Sequence, residues 1–149
     1  MSGWFPRRTV AGAAVLVAGL PLAACEIPYD PRIVSIEATA RTYVAGDSVR
    51  VRLINISGEE LVYSRCEVFL ERKDLTPSVR FLTVAPAADP NCAGSSTPLA
   101  AGQSDSVTFR LAADLPSGIY RYRFDALYRG QELLPLGDRA SHTFGVQLP

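Results

Sequence analysis

The sequence predicts an all-β fold: a sandwich of two antiparallel sheets, built from seven short strands, behind an N-terminal signal peptide. Three observations carry that expectation. Beyond residue 32 the apolar residues recur with a period of two over short stretches, turn-forming clusters separate those stretches, and no window of 11 or more residues holds a helical period. The 149 residues, 48% hydrophobic and 20% charged, suit one ordinary domain. The formal net charge of zero, without a cluster of Lys and Arg, argues against a nucleic-acid partner.

Residues 1–24 come first. Arg7 and Arg8 precede an apolar run of 15 residues, 10–24, broken only by glycines and Pro21. A positive start and a short apolar middle make a secretory signal, and the run is shorter than the roughly 20 residues that cross a bilayer. It ends in Leu22-Ala23-Ala24-Cys25, which resembles the lipobox of bacterial lipoproteins. The resemblance implies that Cys25 is linked to diacylglycerol and becomes the acylated N-terminus after cleavage. The protein would then be exported and lipid-anchored to a bacterial envelope membrane, on the periplasmic side or at the cell surface. The alternatives are an ordinary signal peptide with Cys25 incidental, or a twin-arginine signal through Arg7-Arg8. Residues 25–32 are the lipidated cysteine and a tether with two prolines and no periodicity, reaching at most ~25 Å.

Residues 33–149 form the sandwich domain. The expected strands A to G are 33–40, 48–55, 61–72 with a break, 79–84, 105–111, 119–128 and 142–148. In Val49-Arg50-Val51-Arg52-Leu53 and Val107-Thr108-Phe109-Arg110-Leu111 apolar and polar residues alternate, as a strand with one buried face requires. Turns are marked by Gly46-Asp47, Ser57-Gly58, Ala101-Gly102, Pro116-Ser117-Gly118, Arg129-Gly130 and Leu136-Gly137.

Leu115-Pro116-Ser117-Gly118-Ile119-Tyr120-Arg121-Tyr122 resembles the start of strand F in immunoglobulin-like (Ig-like) domains, with Tyr120 as the tyrosine corner. Tyr122 stands where an antibody domain has its second cysteine, Val51 and Leu53 occupy strand B, and the only Trp, Trp4, lies in the signal. The likeness is therefore to the fibronectin-like branch. The wider rhythm, from Tyr43-Val44-Ala45-Gly46-Asp47 to Leu99-Ala100-Ala101-Gly102, is similar to small bacterial Ig-like modules, which include a family with a proteinase inhibitor.

An Ig-like arrangement implies that strands C, F and G share one sheet and A, B, E and D the other. Tyr120, Tyr122 and Phe124 then point inward and Arg121, Arg123 and Asp125 outward; Val68 and Leu70 point inward and Glu67, Phe69 and Glu71 outward. Glu67 or Glu71 should pair with Arg121 or Arg123 in weak surface contacts of ~0.2–1 kcal/mol. On the other sheet Arg50, Arg52 and Arg110 face outward with Glu37 the nearest acid, a basic face suited to an anionic partner such as lipid headgroups or acidic glycan, or suited only to solubility.

With Cys25 taken by lipid, Cys66 and Cys92 are an even pair in an oxidising compartment, which favours a disulfide over free thiols or a metal pair. Residues 85–104 read as one long irregular loop, 14 of its 20 residues being Ala, Pro, Gly or Ser, pinned by Cys92 and presenting Asp89 and Asn91. No catalytic constellation, cofactor motif or metal-ligand spacing stands out. His142, Ser141 and Asp138 are sequence neighbours, a geometry that an extended strand denies to a triad. The expectation is a lipid-anchored, non-catalytic binding or accessory module with a protein or glycan partner; the alternative is an inhibitor of a secreted or envelope peptidase that presents the pinned loop.

Overall fold

The computed structural model describes residues 32–76, 78–87, 92, 94 and 96–149. The signal peptide, Cys25, the tether up to residue 31, Asp89 and Asn91 lie outside the described residues.

The chain is nearly all β, in sheets that pack as a sandwich. One sheet orders β1 (Val34–Ala38), β3 (Ser48–Asn55) and β8 (Ser104–Arg110) as β1-β3-β8, all antiparallel. The second contains β2 (Thr42–Val44), β5 (Val68–Asp74), β6 (Arg80–Pro86), β9 (Gly118–Phe124) and β12 (Phe144–Gln147) in the order β2-β12-β9-β5-β6. A small third sheet, β11-β10-β4-β7, joins β4 (Leu61–Ser64), β7 (Ser96–Leu99), β10 (Leu127–Arg129) and β11 (Glu132–Leu133). One short helix, α1 (Leu136–Arg139), precedes β12.

Period-two patterning builds these strands. In β3, Val49, Val51, Leu53 and Asn55 are buried while Ser48, Arg50 and Arg52 are exposed. In β9, Tyr120, Tyr122 and Phe124 turn into the core. Phe109 of β8 stacks on Tyr122 with ring centres 4.7 Å apart, and Tyr122 stacks on Phe144 at 5.5 Å, so aromatic rings lock the sheets together where many sandwiches use a Trp. The tyrosine corner is formed: Tyr120 donates its hydroxyl to the Pro116 carbonyl at 2.6 Å. A Cβ at position 118 would come within 2.9 Å of the Arg72 Nε and 3.3 Å of the Tyr120 ring, so a larger residue there would have to displace the flexible arginine side chain.

Several expectations need correction. Where the pattern predicts seven strands, the described residues form 12, because predicted strand C divides into β4 and β5, predicted strand F continues into β10, and β2, β7 and β11 are too short to show a period. Strand D was expected beside A, B and E; β6 instead pairs with β5, the simplest return after a tight turn. The pairing is not wholly antiparallel, since β2 runs parallel to β12. Residues 85–104 are not one loop: Ala85 and Pro86 close β6, and β7 pairs with β4. Pro98 is tolerated in β7 because that strand is an edge.

Candidate functional site

The two outer faces carry the same residue types and treat them oppositely. On the five-stranded sheet, Glu71 of β5 lies opposite Arg121 of β9. Its carboxylate accepts from Arg121 Nε at 2.7 Å and from Arg123 Nη1 at 2.8 Å. Arg123 continues to Asp125 at 2.6 Å, and Asp125 meets Arg139 of α1 at 3.4 Å. The Arg121 guanidinium sits 3.6 Å from the centre of the Phe81 ring, and that of Arg123 lies 5.3 Å from Phe69. The expected acid–arginine pairing forms through Glu71, but not as a weak surface contact: Glu71 is 2% exposed, because the two guanidinium groups and these phenylalanines roof it over.

On the three-stranded sheet, Arg50, Arg52 and Arg110 are exposed, as expected. Arg52 donates to the Ser104 hydroxyl at 3.1 Å. Arg50 and Arg110 make no ion pair with any described residue. Glu37 lies opposite Arg52 in register, yet it accepts from the Ser35 hydroxyl at 2.7 Å rather than from an arginine. Around the arginines stand hydroxyls: Ser48 and Thr108 flank Arg50, and Ser104 and Ser106 sit beside Arg52. A shallow depression of about 530 Å³ opens between Thr39, Arg50, Arg52, Ser104, Asp105 and Ser106, the Asp105 carboxylate being paired with Tyr63 and Arg65. Guanidinium groups and hydroxyls arranged this way can donate to a phosphate, sulfate or carboxylate without first breaking an internal pair.

Cys66 and Cys92 form a disulfide with Cα atoms 5.4 Å apart, and the Gly94 N–H donates to Cys66 Sγ at 3.2 Å. Beside it, Tyr63 and Arg65 both donate to Asp105, Arg65 at 2.7 Å. Burial, with the bond to Asp105, pushes the Tyr63 phenol up to about 12. Burial works to raise the Asp105 carboxyl too, but the donors Tyr63, the Ser106 N–H and Arg65 outweigh it and hold that group below its ordinary value. The pattern of the sequence did not expose this cluster, since Asp105 lies 42 and 40 residues from Tyr63 and Arg65.

The remaining candidates do not converge. His142 Nε2 accepts from Arg32 at 2.9 Å, while the Ser141 hydroxyl accepts from the Tyr122 N–H at 2.9 Å and donates to the His142 carbonyl. Asn55 of the Asn55-Ile56-Ser57 triplet is fully buried, its amide donating to the carbonyls of Glu59 and Leu99 and its oxygen accepting from Ser57. Among the described residues no three His, Cys, Asp or Glu side chains are placed to hold a metal ion.

No family model matches the chain, and no curated protein matches it significantly. Among solved structures, the class 5 fimbriae chaperone CfaA is 15% identical, covering 77% of this chain and 54% of its own at a TM-score of 0.43. A PapD-like domain of human CEP192 is 13% identical, covering 96% of each chain at 0.36. The alkylpurine DNA glycosylase AlkC of Pseudomonas fluorescens, bound to DNA, is 10% identical over 78% of this chain at 0.40. This chain spans 31% of that glycosylase and about half of CfaA. None of these likenesses bears on function.

Proposed function

We propose that this protein is an exported, lipid-anchored binding or accessory module of the bacterial envelope, non-catalytic, with an Ig-like sandwich held to the membrane through an acylated Cys25. The observation that carries the reading is the difference between the outer faces: one set of arginines is consumed by internal pairs, and the other, Arg50, Arg52 and Arg110, is left to solvent among hydroxyls. Such a face suits an anionic partner, and lipidation on a short tether would keep it near the membrane. The strand order and the Tyr120 corner support the Ig-like assignment. A second reading, a peptidase inhibitor, draws on the disulfide that ties Cys92 to the end of β4.

Two measurements test this. Metabolic labelling with a fatty-acid analogue should mark the full chain and lose its signal in Cys25→Ser, which should persist as uncleaved precursor; label retained on the variant overturns the anchor. The full-length protein in mild detergent, used as bait against envelope extract, should retain an anionic glycan or an assembly partner in a salt-sensitive way. Recovery of an inactivated peptidase instead selects the inhibitor reading.

A further inference from the structure

Among the described residues, the strand β6 is an edge of the five-stranded sheet, paired only with β5. Edge strands are ordinarily short, charged or covered, because their free N–H and C=O groups template pairing with another chain. The other edges among the described residues obey this: β2, β7 and β11 have three, four and two residues, β1 carries Glu37, and β8 carries Asp105 and Arg110. Strand β6 keeps such features near its ends, Arg80 at the start and a bulge at Val84 with Pro86 at the finish, and between them presents the uncharged run Phe81-Leu82-Thr83. Leu82 and Val84 are 45% and 43% exposed, and Leu75 and Val79 in the preceding turn are 67% and 65% exposed. A depression of about 600 Å³ lies over the paired ends of β5 and β6, lined by Arg72–Leu75 and Leu82–Val84.

We infer that β6 accepts an extended segment of a partner polypeptide by strand addition, one with apolar residues at alternate positions and a carboxylate at the end that meets Arg72 and Lys73. Main-chain hydrogen bonds along β6 supply affinity, and the exposed apolar side chains select the alternating pattern. Charge names that end. Arg72 and Lys73 line the depression and stand opposite Leu82 and Phe81, at the N-terminal end of β6 only; Arg80 at that end is satisfied by Asp74 at 3.0 Å, while Arg72 has only the Ser117 carbonyl at 3.1 Å and Lys73 pairs with no acid among the described residues. A second copy paired antiparallel through β6 would set this cationic end against the Ala85–Pro86 end of the other β6, which bears no carboxylate, so self-pairing leaves Arg72 and Lys73 without an acid. The inference rests on the binding-module reading but uses none of the arginine face.

The test titrates the full-length protein with a seven-residue peptide of alternating valine and threonine, capped at both ends and carrying a glutamate at each terminus. Saturable binding should slow amide exchange in β6. Leu82→Asp and Val84→Asp, both at exposed positions, should each weaken binding about tenfold or more, whereas Ile119→Asp, at an exposed position on β9, should not. A lysine-ended peptide should bind more weakly. No binding at millimolar peptide, protection on another edge, or concentration-dependent dimers protected along β6 overturns the inference. Replacing Arg50, Arg52 and Arg110 with Ser should leave peptide binding unchanged. If the peptide fails while that variant still loses an anionic ligand, strand addition is wrong and the binding-module reading stands.

Discussion

The outer faces of the two main sheets make a controlled comparison, since both present arginines at alternate positions of central strands. On β9, Arg121 and Arg123 are spaced by two, as are Arg50 and Arg52 on β3. What differs is the strand alongside. Strand β5 sets Glu71 directly opposite Arg121, and β6 adds Phe81 as a lid. Strands β1 and β8 offer mainly Ser and Thr, with two acids that are both occupied elsewhere, Glu37 by Ser35 and Asp105 by Tyr63 and Arg65. The lesson is that an arginine's role is set by cross-strand register: paired with a roofed carboxylate it belongs to the fold, and set among hydroxyls it remains available.

The sharpest way to break this comparison is to remove one acid from each face. Glu71→Ala strands two partly covered guanidinium groups, so unfolding stability should fall by about 3 kcal/mol, the low end for a broken buried pair because Arg121 and Arg123 keep 19% and 24% side-chain exposure. Glu37→Ala should stay within about 0.5 kcal/mol. Urea melts at constant slope check both, and equal losses would erase the distinction between the faces.

A smaller effect comes from Asp105, which lies between the two behaviours, half-buried yet fully paired. Asp105→Asn should cost about 2 kcal/mol at neutral pH, because two side-chain donors lose a charged acceptor. The pH dependence has a fixed sign. Its carboxyl titrates below the ordinary range when folded, so its contribution is complete above the unfolded value near ~4 and is lost as pH falls through the folded value. The variant should therefore lose less stability than the parent on acidification below about pH 4. Tyr63 acts in the opposite direction: raised to about 12, it contributes fully below the unfolded value near ~10 and loses that contribution as pH climbs toward 12. Parallel acid limbs for parent and variant would remove Asp105 from this account.

Much of the architecture was legible in local pattern. Strand β3 occupies the predicted 48–55, the break in 61–72 falls at Arg65–Glu67, and the inward set of β9 follows from its alternation. The tyrosine corner was readable because its parts lie within four residues. Long-range facts were not. Nothing local to Thr42–Val44 announces a parallel partner in β12, and nothing in 79–84 distinguishes an added strand beside β5 from one beside the opposite sheet. The parity of Glu71 gave its outward direction correctly but not its burial, which depends on Phe81 arriving from β6 and Arg123 from β9. The outward direction of Arg50, Arg52 and Arg110 was readable for the same reason as their strands; their lack of ion-pair partners needed the register.

The smallest expected effect on stability separates availability from mere solubility. Replacing Arg50, Arg52 and Arg110 together with Ser removes no internal ion pair among the described residues and one hydrogen bond, that of Arg52 to Ser104. Unfolding stability should therefore change by no more than about 1 kcal/mol across the three exposed sites. Binding should respond differently. Exposed arginines attract a polyanion through interactions that salt screens over about 10 Å at 0.1 M, so retention on immobilised heparin should fall to a lower eluting salt in the triple variant. A matched change on the other face, Arg121→Ser, should lower stability yet leave retention nearly unchanged, because that charge is already spent on Glu71. If parent and triple variant elute together, the face serves solubility alone; if Arg121→Ser costs as much retention, both faces hold available charge and the register argument fails.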